Sequence, residues 1–227
     1  MSADPTAART AERIVLVDFD GVLVAGDSFA GVLRGLIGER WWRRALALLA
    51  TPLALPLLLS GRHASAGARI YQRVALLGVD AATFDERLRG FARELARDPA
   101  RVRTQAVATL RAHLEAGDRV LVVSGSEQRL VAGVLATLEL TGVEVVASQV
   151  RHEQGGWRVL RHCYGARKVE ALAALGIERW DVAYSDSLAD LPMLAGARHA
   201  VLVNAGDAAV ARAARRLGRA PARLRWR

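Results

Sequence analysis

The chain of 227 residues has one cysteine, one lysine and no apolar run among its first ten residues. A single cysteine, Cys163, excludes a disulfide framework within the chain and favours a reducing compartment. Residues 1–10 are polar and alanine-rich, so no secretory leader is predicted. The five histidines show no spacing that is typical of a metal site. Without a disulfide framework or a histidine metal site, the hydrophobic core is expected to stabilise the protein.

The charge is unbalanced, because 32 basic residues face 23 acidic ones and give a net charge of +9. This balance favours an anionic partner, such as nucleic acid, a membrane surface or a phosphorylated substrate. The arginines are scattered and form no basic block, so no nucleic-acid partner is predicted. Hydrophobic residues make up 52% of the chain, which is enough for one core, with or without an inserted segment.

Short apolar segments alternate with helical patterns, which predicts an α/β fold. Strands are predicted at 14–20, 120–123, 143–147, 181–184 and 200–203, with a hairpin at 149–160 around Gly155-Gly156. Helices are predicted at 102–116, 127–140 and 165–175, with a further helix at the C-terminal end. We expect a doubly wound, Rossmann-like core with a mainly parallel sheet (residues 11–26 and 102–227) and an inserted helical cap (residues 27–101).

The first predicted strand leads into Asp18-Phe19-Asp20-Gly21. Its two carboxylates follow a buried strand, at the end of the sheet where ligands bind in open α/β folds. Two like charges at close range repel each other unless a cation or a shared proton compensates. The pair therefore indicates a metal-assisted site in which one aspartate attacks and the other moves a proton. Taken alone, the motif is also compatible with an ordinary turn.

Three later segments place polar residues at the ends of predicted elements in the same way. Ser124-Gly125 offers a hydroxyl and backbone N–H groups at a helix start, which suits a phosphoryl oxygen. Asp186 follows a strand and can hold Mg²⁺, and Asp190 lies four residues later. Lys168 is the only lysine, which suggests a site that needs a compact charge, although chance can also leave one lysine in an arginine-rich chain.

In order and spacing, these motifs resemble those of the haloacid dehalogenase-like phosphatases. The helical insertion after the first motif is similar to the insertion in the branch of this family that contains phosphoserine phosphatase. Within that branch, the apolar segment 41–59 resembles that of the phosphatidylglycerophosphatase C group, which is bacterial and membrane-associated. Four further segments also resemble this group, namely Ala147-Ser148-Gln149, Gly155-Gly156-Trp157, Arg161-x-Cys163-x-Gly165-x-x-Lys168 and Tyr184-Ser185-Asp186-Ser187.

The resemblance implies a role for each motif residue. Asp18 is the expected nucleophile, which forms an aspartyl-phosphate, and Asp20 is the expected acid and base. The expected phosphate-binding residues are Ser124, Gly125 and Lys168. A Mg²⁺ cofactor is implied, with Asp18, the Asp20 carbonyl, Asp186 and Asp190 assigned to the metal, Asp190 by orienting its ligands or Lys168.

Three further residues lie near these motifs. Asp27, followed by Ser28, is either a helix N-cap or a substrate-facing residue at the cap entrance, and it is retained among the expected substrate-binding residues. Val22 stands where the family usually has threonine, which removes a hydroxyl beside the phosphate. Cys163 is expected to be a packed small side chain, because no partner that would activate its thiol is evident.

The segment 41–60 is expected to lie at a membrane interface. Trp41-Trp42-Arg43-Arg44 precede the apolar run 45–59, an arrangement typical of such interfaces. The run is shorter than the about 20 residues that a span needs. One crossing would also separate Asp18 from the later motifs, so the segment is expected to dip into the bilayer or lie flat on it. A buried cap hairpin in a soluble protein is the alternative.

The expected function is Mg²⁺-dependent hydrolysis of a lipid phosphate, with phosphatidylglycerophosphate converted to phosphatidylglycerol. The net positive charge would hold the enzyme on an anionic membrane surface, at the cytoplasmic face of a bacterial inner membrane. A soluble cytoplasmic phosphatase acting on a small metabolite such as phosphoserine is the first alternative. A non-catalytic membrane-binding protein that keeps the fold is the second. The sequence leaves the oligomeric state open.

Overall fold

The computed structural model describes residues 13–60 and 63–226, and within this part of the chain seven strands form one sheet. The strands are β1 Ile14–Val17, β2 Arg119–Glu127, β3 Glu144–Glu153, β4 Gly156–Arg161, β5 Trp180–Ser185, β6 Ala197–Val203 and β7 Ala222–Leu224. Their order is β4-β3-β2-β1-β5-β6-β7. All neighbours are parallel except β3 and β4, which form the antiparallel hairpin expected around Gly155-Gly156.

Helices cover both faces of this sheet. Between β1 and β2 lie α1 Ser28–Glu39, α2 Trp41–Leu59, α3 Ala64–Leu76 and α4 Ala81–Arg97. The later helices are α5 Thr104–Glu115, α6 Gln128–Thr137, α7 Ala166–Ala173, α8 Leu191–Gly196 and α9 Asp207–Leu217. In β1, Val15 and Val17 join one apolar cluster while Leu16 joins another. A strand buried on both faces needs such a continuous apolar run.

The strand order reverses at β1, which positions the site. β2 and β5 pair with β1 on opposite sides, and the register aligns Val17 with Val122 and with Tyr184. The carboxyl ends of these three strands therefore meet, and in open α/β sheets this reversal point is where ligands bind. The α/β class and the mainly parallel sheet with inserted helices are confirmed.

The inserted helices differ in how they join the core. Phe84, Leu88 and Leu95 of α4 belong to the same apolar cluster as β1. In contrast, α2 packs mainly against α3. The division into a core and a cap at residues 27–101 stays a prediction, because the fourth helix shares the main core.

Two predicted boundaries were wrong, and one strand was not predicted. β1 ends at Val17 and not at residue 20, because the Phe19 carbonyl accepts N–H bonds from Leu23 and Val24 and closes a turn. β2 continues to Glu127, whose side chain caps α6, so Ser124-Gly125 lie within a strand rather than at a helix start. The short strand β7 was not predicted, since its three exposed residues are ordered by pairing with β6.

Candidate active site

The carboxyl ends of β1, β2 and β5 bring the predicted motif residues into one region. Asp18 directly follows β1, Ser124 lies in the last part of β2, and Asp186 directly follows β5. The Asp18 backbone N–H donates to the Tyr184 carbonyl at 3.0 Å, which continues the β1–β5 pairing to the first aspartate. Lys168 lies in the first turn of α7, and its side chain contacts Asp18.

Lys168 is a buried cation held between two carboxylates. Its Nζ lies 2.8 Å from Asp18 Oδ1 and 2.7 Å from Asp190 Oδ2, and the residue is only 2% exposed. Burial acts to lower the pKa of Lys168, but the negative charges of Asp18 and Asp190 outweigh it and raise the pKa above its usual value. The side chain is therefore a fixed positive charge, as the sequence argument for a compact cation expected.

Asp18 is positioned through one of its two carboxylate oxygens. Oδ1 accepts from the Phe19 backbone N–H at 2.8 Å and contacts Lys168 Nζ at the distance given above. Burial raises the pKa of Asp18 well above its usual value, against the lowering effect of Lys168, and the charge of Asp190 raises it further. A carboxylate that is removed from water but held by a cation is well suited to attack an electrophile.

Asp20 lies in the turn after β1 and carries the features of a proton-transfer group. Its Oδ1 accepts the Ser28 backbone N–H at 2.9 Å, and Ser28 Oγ lies 2.7 Å from Ser126 Oγ. Burial raises the pKa of Asp20 to about 7, although the Ser28 hydrogen bonds act to lower it. A group with a pKa near neutrality can both give and take a proton at physiological pH.

Asp186 lies against the backbone of the first motif. A Cβ built on Gly21, whose φ is +79°, would fall 1.9 Å from Asp186 Oδ2, so only glycine permits this approach. Burial raises the pKa of Asp186, and the charge of Asp190 adds to the effect. Carboxylates brought close at the Asp18–Gly21 turn provide the hard oxygen donors that Mg²⁺ prefers.

The donor set fits a magnesium ion rather than a metal held by side chains alone. Within residues 13–60 and 63–226, no group of three or more histidine, cysteine, aspartate or glutamate side chains is arranged around a metal position. Mg²⁺ is usually bound by one or two carboxylates, with waters and substrate oxygens completing its octahedron. Asp18 and Asp186 meet that requirement. Asp190 instead faces Lys168 and accepts a hydrogen bond from Ser185 Oγ at 2.8 Å.

The remaining predicted residues are placed as follows. Ser124 is fully buried, and its Oγ accepts the Ser126 N–H at 3.0 Å. Gly125 faces the Tyr164 ring, which a Cβ at this position would meet at 3.4 Å. Asp27 is the N-cap of α1, where it accepts the Ala30 N–H at 2.8 Å, and its substrate contact stays a prediction.

Two residues outside the motifs take the packed positions that their surroundings dictate. Val22 is fully buried in the apolar cluster around β1. Cys163 is also fully buried, and burial raises the pKa of its thiol to about 11. The full burial of Cys163 confirms that it is a packed side chain, and a thiol with a raised pKa stays protonated near pH 7.

Three serines in the site were given no role of their own from the sequence. Ser28 and Ser126 link α1 to β2 behind Asp20, and Ser185 holds Asp190. Each is the direct neighbour of a residue already singled out or lies one position away from it. Their contribution could not be read from the sequence, because each contact joins residues from different elements or across a turn.

We expect Asp20→Asn to stabilise the protein in EDTA, and more so at high pH. A folded-state pKa of about 7 against the usual 3.8 means that the folded state keeps a proton which the unfolded state loses. The contribution of protonated Asp20 to the unfolding free energy is complete below pH 3.8. It is lost as the pH rises through 7, and the total loss is at most about 4 kcal/mol. Asparagine keeps the acceptor for Ser28, and urea unfolding should show a gain larger by about 2 kcal/mol at pH 8 than at pH 5.5.

Asp80→Asn is the matched control for that measurement. Asp80 is the exposed N-cap of α4, and hydrogen bonds from Thr83 lower its pKa, so its linkage to pH has the opposite sign. An equal gain for Asp20→Asn at both pH values would contradict the raised pKa of Asp20.

The chain is similar to known proteins in both sequence and fold. Residues 15–195 match the family model described as haloacid dehalogenase-like hydrolase. A Mycobacterium tuberculosis H37Rv protein named as a probable phosphatase is 35% identical over 107 residues. That match covers 44% of this chain and 37% of the relative, so the chain spans little more than a third of the relative's length.

Solved structures share the fold at low sequence identity. A Bordetella pertussis Tohama I protein of unknown function has a TM-score of 0.73 at 22% identity, over 94% of this chain and 99% of that one. A phosphoserine phosphatase, solved as a phospho-aspartyl intermediate analogue, has a TM-score of 0.57 at 16% identity, over 94% of this chain and 92% of that one. The neighbours include the phosphoserine phosphatase branch. A specific likeness to the phosphatidylglycerophosphatase C group is not among these findings.

Proposed function

The chain belongs to the haloacid dehalogenase-like hydrolase family, and we propose that it is a phosphatase that hydrolyses phosphomonoesters through a phosphorylated Asp18. One observation carries this proposal: Asp18 is buried against Lys168, and a second carboxyl group with a pKa of about 7 lies two residues away. Together they provide a nucleophile, a fixed positive charge and a proton donor.

In the first step, Asp18 attacks the phosphorus of the monoester. Phe19 N–H and Lys168 both reach Oδ1, so we assign the attack to Oδ2. The bond from phosphorus to the ester oxygen breaks as the bond to Asp18 forms. Protonated Asp20 gives its proton to the departing oxygen, and the alcohol leaves.

In the second step, water attacks the phosphorus of the aspartyl-phosphate. Asp20, now ionised, takes a proton from that water, and the bond between phosphorus and Asp18 breaks to release inorganic phosphate. Lys168 and the Ser124 hydroxyl are the groups that would hold the phosphoryl oxygens through both steps. Two displacements in sequence each have a lower barrier than one direct displacement by water would have.

Asp18, Asp186 and the Asp20 carbonyl would hold a Mg²⁺ ion. When bound, the ion offsets the negative charge that gathers on the phosphoryl oxygens and between the carboxylates. Asp190 supports the same site by fixing Lys168, which it contacts directly.

Phosphate release from a substrate panel tests this function. Purified protein with Mg²⁺ should release phosphate from at least one of phosphatidylglycerophosphate, lysophosphatidate and phosphoserine, while the Asp18→Asn variant serves as the blank. No release from any phosphomonoester would favour the alternative of a non-catalytic protein that keeps the fold.

For the natural substrate we favour a lipid phosphate, with phosphatidylglycerophosphate as the specific candidate, because of the outer face of α2. This helix is long and apolar enough to cross a membrane, yet only 11% of its most apolar 18-residue stretch is buried. Its exposed apolar residues are Trp41, Leu46, Leu48, Leu49, Leu53, Leu55 and Leu59. An apolar face of this size is unusual for a surface exposed to water.

The geometry of α2 favours a helix that lies flat on the bilayer, and we propose the cytoplasmic face of the inner membrane as its location. The helix runs through Pro52 and Pro56 without a break, and α1 and α3 pack beside it. Its inner residue Ala54 is fully buried. A helix flanked by neighbours of the same unit can insert its outer face only, as interfacial helices do.

Flotation with anionic vesicles tests the membrane contact. We expect the triple variant Leu49→Gln, Leu53→Gln and Leu59→Gln to lose at least about tenfold in vesicle binding, because each leucine contributes about 1.5–3 kcal/mol when buried. The matched control replaces three exposed apolar residues outside α2, namely Leu77, Leu160 and Leu175, by glutamine. Equal binding by wild-type protein and both variants would leave no role for α2 at a membrane.

A small soluble phosphomonoester is the second candidate substrate. The observation that favours it is the likeness of the fold to phosphoserine phosphatase. A cytoplasmic enzyme would then show phosphate release from phosphoserine at a rate that vesicles do not change.

A further inference from the structure

The buried residue Trp226 follows β7 at the carboxyl edge of the sheet, which is the edge that carries the active site. Its backbone N–H donates to Asn204 Oδ1 at 2.8 Å. Asn204 directly follows β6, and its own backbone N–H donates to the Leu224 carbonyl at 2.8 Å. These two hydrogen bonds fix the position of Trp226 relative to the sheet.

The ring of Trp226 packs on Tyr184, which lies in β5 two residues before Asp186. The two rings are stacked, with 5.5 Å between their centroids and 30° between their planes. The Tyr184 hydroxyl lies 3.0 Å from His113 Nε2, and the Tyr184 carbonyl accepts the Asp18 backbone N–H at 3.0 Å. Trp226 therefore supports the end of β5, which leads into Asp186 and pairs with Asp18.

The carbonyl of Trp226 is linked to the first motif through Arg103. Arg103 Nη1 donates to this carbonyl at 3.0 Å, and the Arg103 backbone N–H donates to the Leu23 carbonyl at 3.0 Å. Leu23 is fully buried, and its own N–H donates to the Phe19 carbonyl at 2.8 Å, so it belongs to the turn that follows Asp18. Trp226 is thus connected to both segments that carry the carboxylates assigned to the metal.

The guanidinium of Arg103 has few other contacts to hold it. Within residues 13–60 and 63–226, its side chain makes one hydrogen bond, to Trp226, and no ion pair. Its Nε is buried without a partner, an arrangement that is unfavourable for a polar donor. The position of this guanidinium therefore depends on where Trp226 is held.

We propose that Trp226 and Arg103 form a brace that positions the magnesium site, because together they hold the turn after Asp18 against the end of β5 that carries Asp186. This inference rests on the proposed function, in which these two aspartates bind Mg²⁺. Neither residue of the brace is itself assigned to the ion or to the substrate. Residues that orient metal ligands from behind typically change metal affinity by about 10- to 100-fold when they are replaced.

Calorimetric titration with Mg²⁺ tests the brace without any need for turnover. Trp226→Leu removes the ring that packs on Tyr184, and Arg103→Met removes the hydrogen bond to the Trp226 carbonyl. We expect each variant to raise the Kd for Mg²⁺ about 10-fold. The double variant should raise it no further than the stronger single variant, since both residues act through one contact.

Phosphate release provides a second measurement. Both brace variants should need about 10-fold more Mg²⁺ for half-maximal activity, while kcat at saturating Mg²⁺ stays within about threefold of the wild-type value. Trp226→Phe keeps an aromatic ring and Arg103→Lys keeps a donor, so each should recover part of the Mg²⁺ affinity. A residue with a merely structural role would lower the melting temperature and leave the Kd for Mg²⁺ unchanged.

Matched controls make the same chemical changes away from the magnesium site. Trp180 is also buried, but it lies at the opposite end of β5, where its Nε1 donates to the Met193 carbonyl at 2.8 Å. Arg111 lies in α5, and its Nη2 donates to the Leu138 carbonyl at 3.0 Å. Trp180→Leu and Arg111→Met should leave the Kd for Mg²⁺ unchanged, whatever their effect on the melting temperature.

Each outcome decides the inference. A weaker Mg²⁺ affinity that is confined to the brace variants supports it. Equal Kd values for the wild-type protein and the brace variants, or an equal loss in the controls, overturn the brace while the phosphatase function stands. No Mg²⁺ binding by the wild-type protein overturns both the magnesium site and the brace. Failure of the wild-type protein to release phosphate overturns the phosphatase function, and the calorimetric comparison still decides the brace.

Discussion

The Asp18→Asn variant is expected to lose phosphatase activity by more than about 10³-fold, because an amide cannot form the phosphorylated intermediate. The loss should appear in kcat, since the other groups that would hold the substrate stay in place. Asparagine retains an oxygen for the Phe19 N–H and for Lys168, both of which contact Asp18 Oδ1. The variant should therefore fold, and circular dichroism with a thermal melt checks this.

Asp80→Asn is the control for that loss. It makes the same chemical change at an exposed N-cap of α4, where asparagine caps equally well. Its activity should equal that of the wild-type protein. An Asp18→Asn variant with near-normal turnover would refute the assignment of the nucleophile. Incubation with substrate followed by acid quench should trap phosphate on the wild-type chain and none on the Asp18→Asn chain.

The Lys168→Met variant is expected to lose both activity and about 3–5 kcal/mol of unfolding free energy. Removing the cation leaves the Asp18 and Asp190 carboxylates buried without their partner. Urea unfolding at pH 7.5 measures the loss. The deficit should shrink as the pH falls, because the unpaired carboxylates can then take up protons.

Two further variants establish that the unpaired carboxylates cause the deficit. Arg87→Met removes the exposed ion pair of Arg87 with Glu39 and should cost less than about 1 kcal/mol. The double variant Lys168→Met with Asp190→Asn should recover part of the stability of Lys168→Met, since only one of the two buried acids remains. A double variant less stable than Lys168→Met itself would mean that Asp190 does not act through Lys168.

Asp18 and Asp186 could be recognised from the sequence because each directly follows a regular strand. Asp18 follows the apolar run of β1, and Asp186 follows that of β5. Parallel strands place their carboxyl ends at one edge of a sheet, so residues far apart in sequence are brought to the same edge. The rarity of lysine similarly pointed to Lys168, whose buried contacts with two carboxylates justify a compact charge.

Sequence patterns could not predict which residues of different elements contact each other. Asp190 had been assigned to the metal, and the structure places it against Lys168 and Ser185. That assignment to the metal stays a prediction, with the contact to Lys168 as the observed one. The end of β1 was likewise decided by a carbonyl, that of Phe19, which bonds within a turn instead of a neighbouring strand.

The apolar segment 41–60 also shows what could be predicted from the sequence and what depended on the tertiary structure. Its composition predicted an interfacial element, but the choice between a buried hairpin and an exposed face depends on what packs against it. In the structure α3 covers one side of α2, and Leu48, Leu49 and Leu59 remain exposed on the other. Only the packing of neighbouring helices distinguishes these cases, because both share one hydrophobic pattern.

The sequence by itself determined the fold class and the order of the motifs, because these depend on local periodicity and on residue type. The tertiary structure alone decided which charges are paired with each other. Lys168 is held between two buried acids, Asp18 and Asp190, which belong to different elements of the fold. Electrostatic pairing depends on distances of a few ångströms between distant residues, and no local pattern encodes those distances.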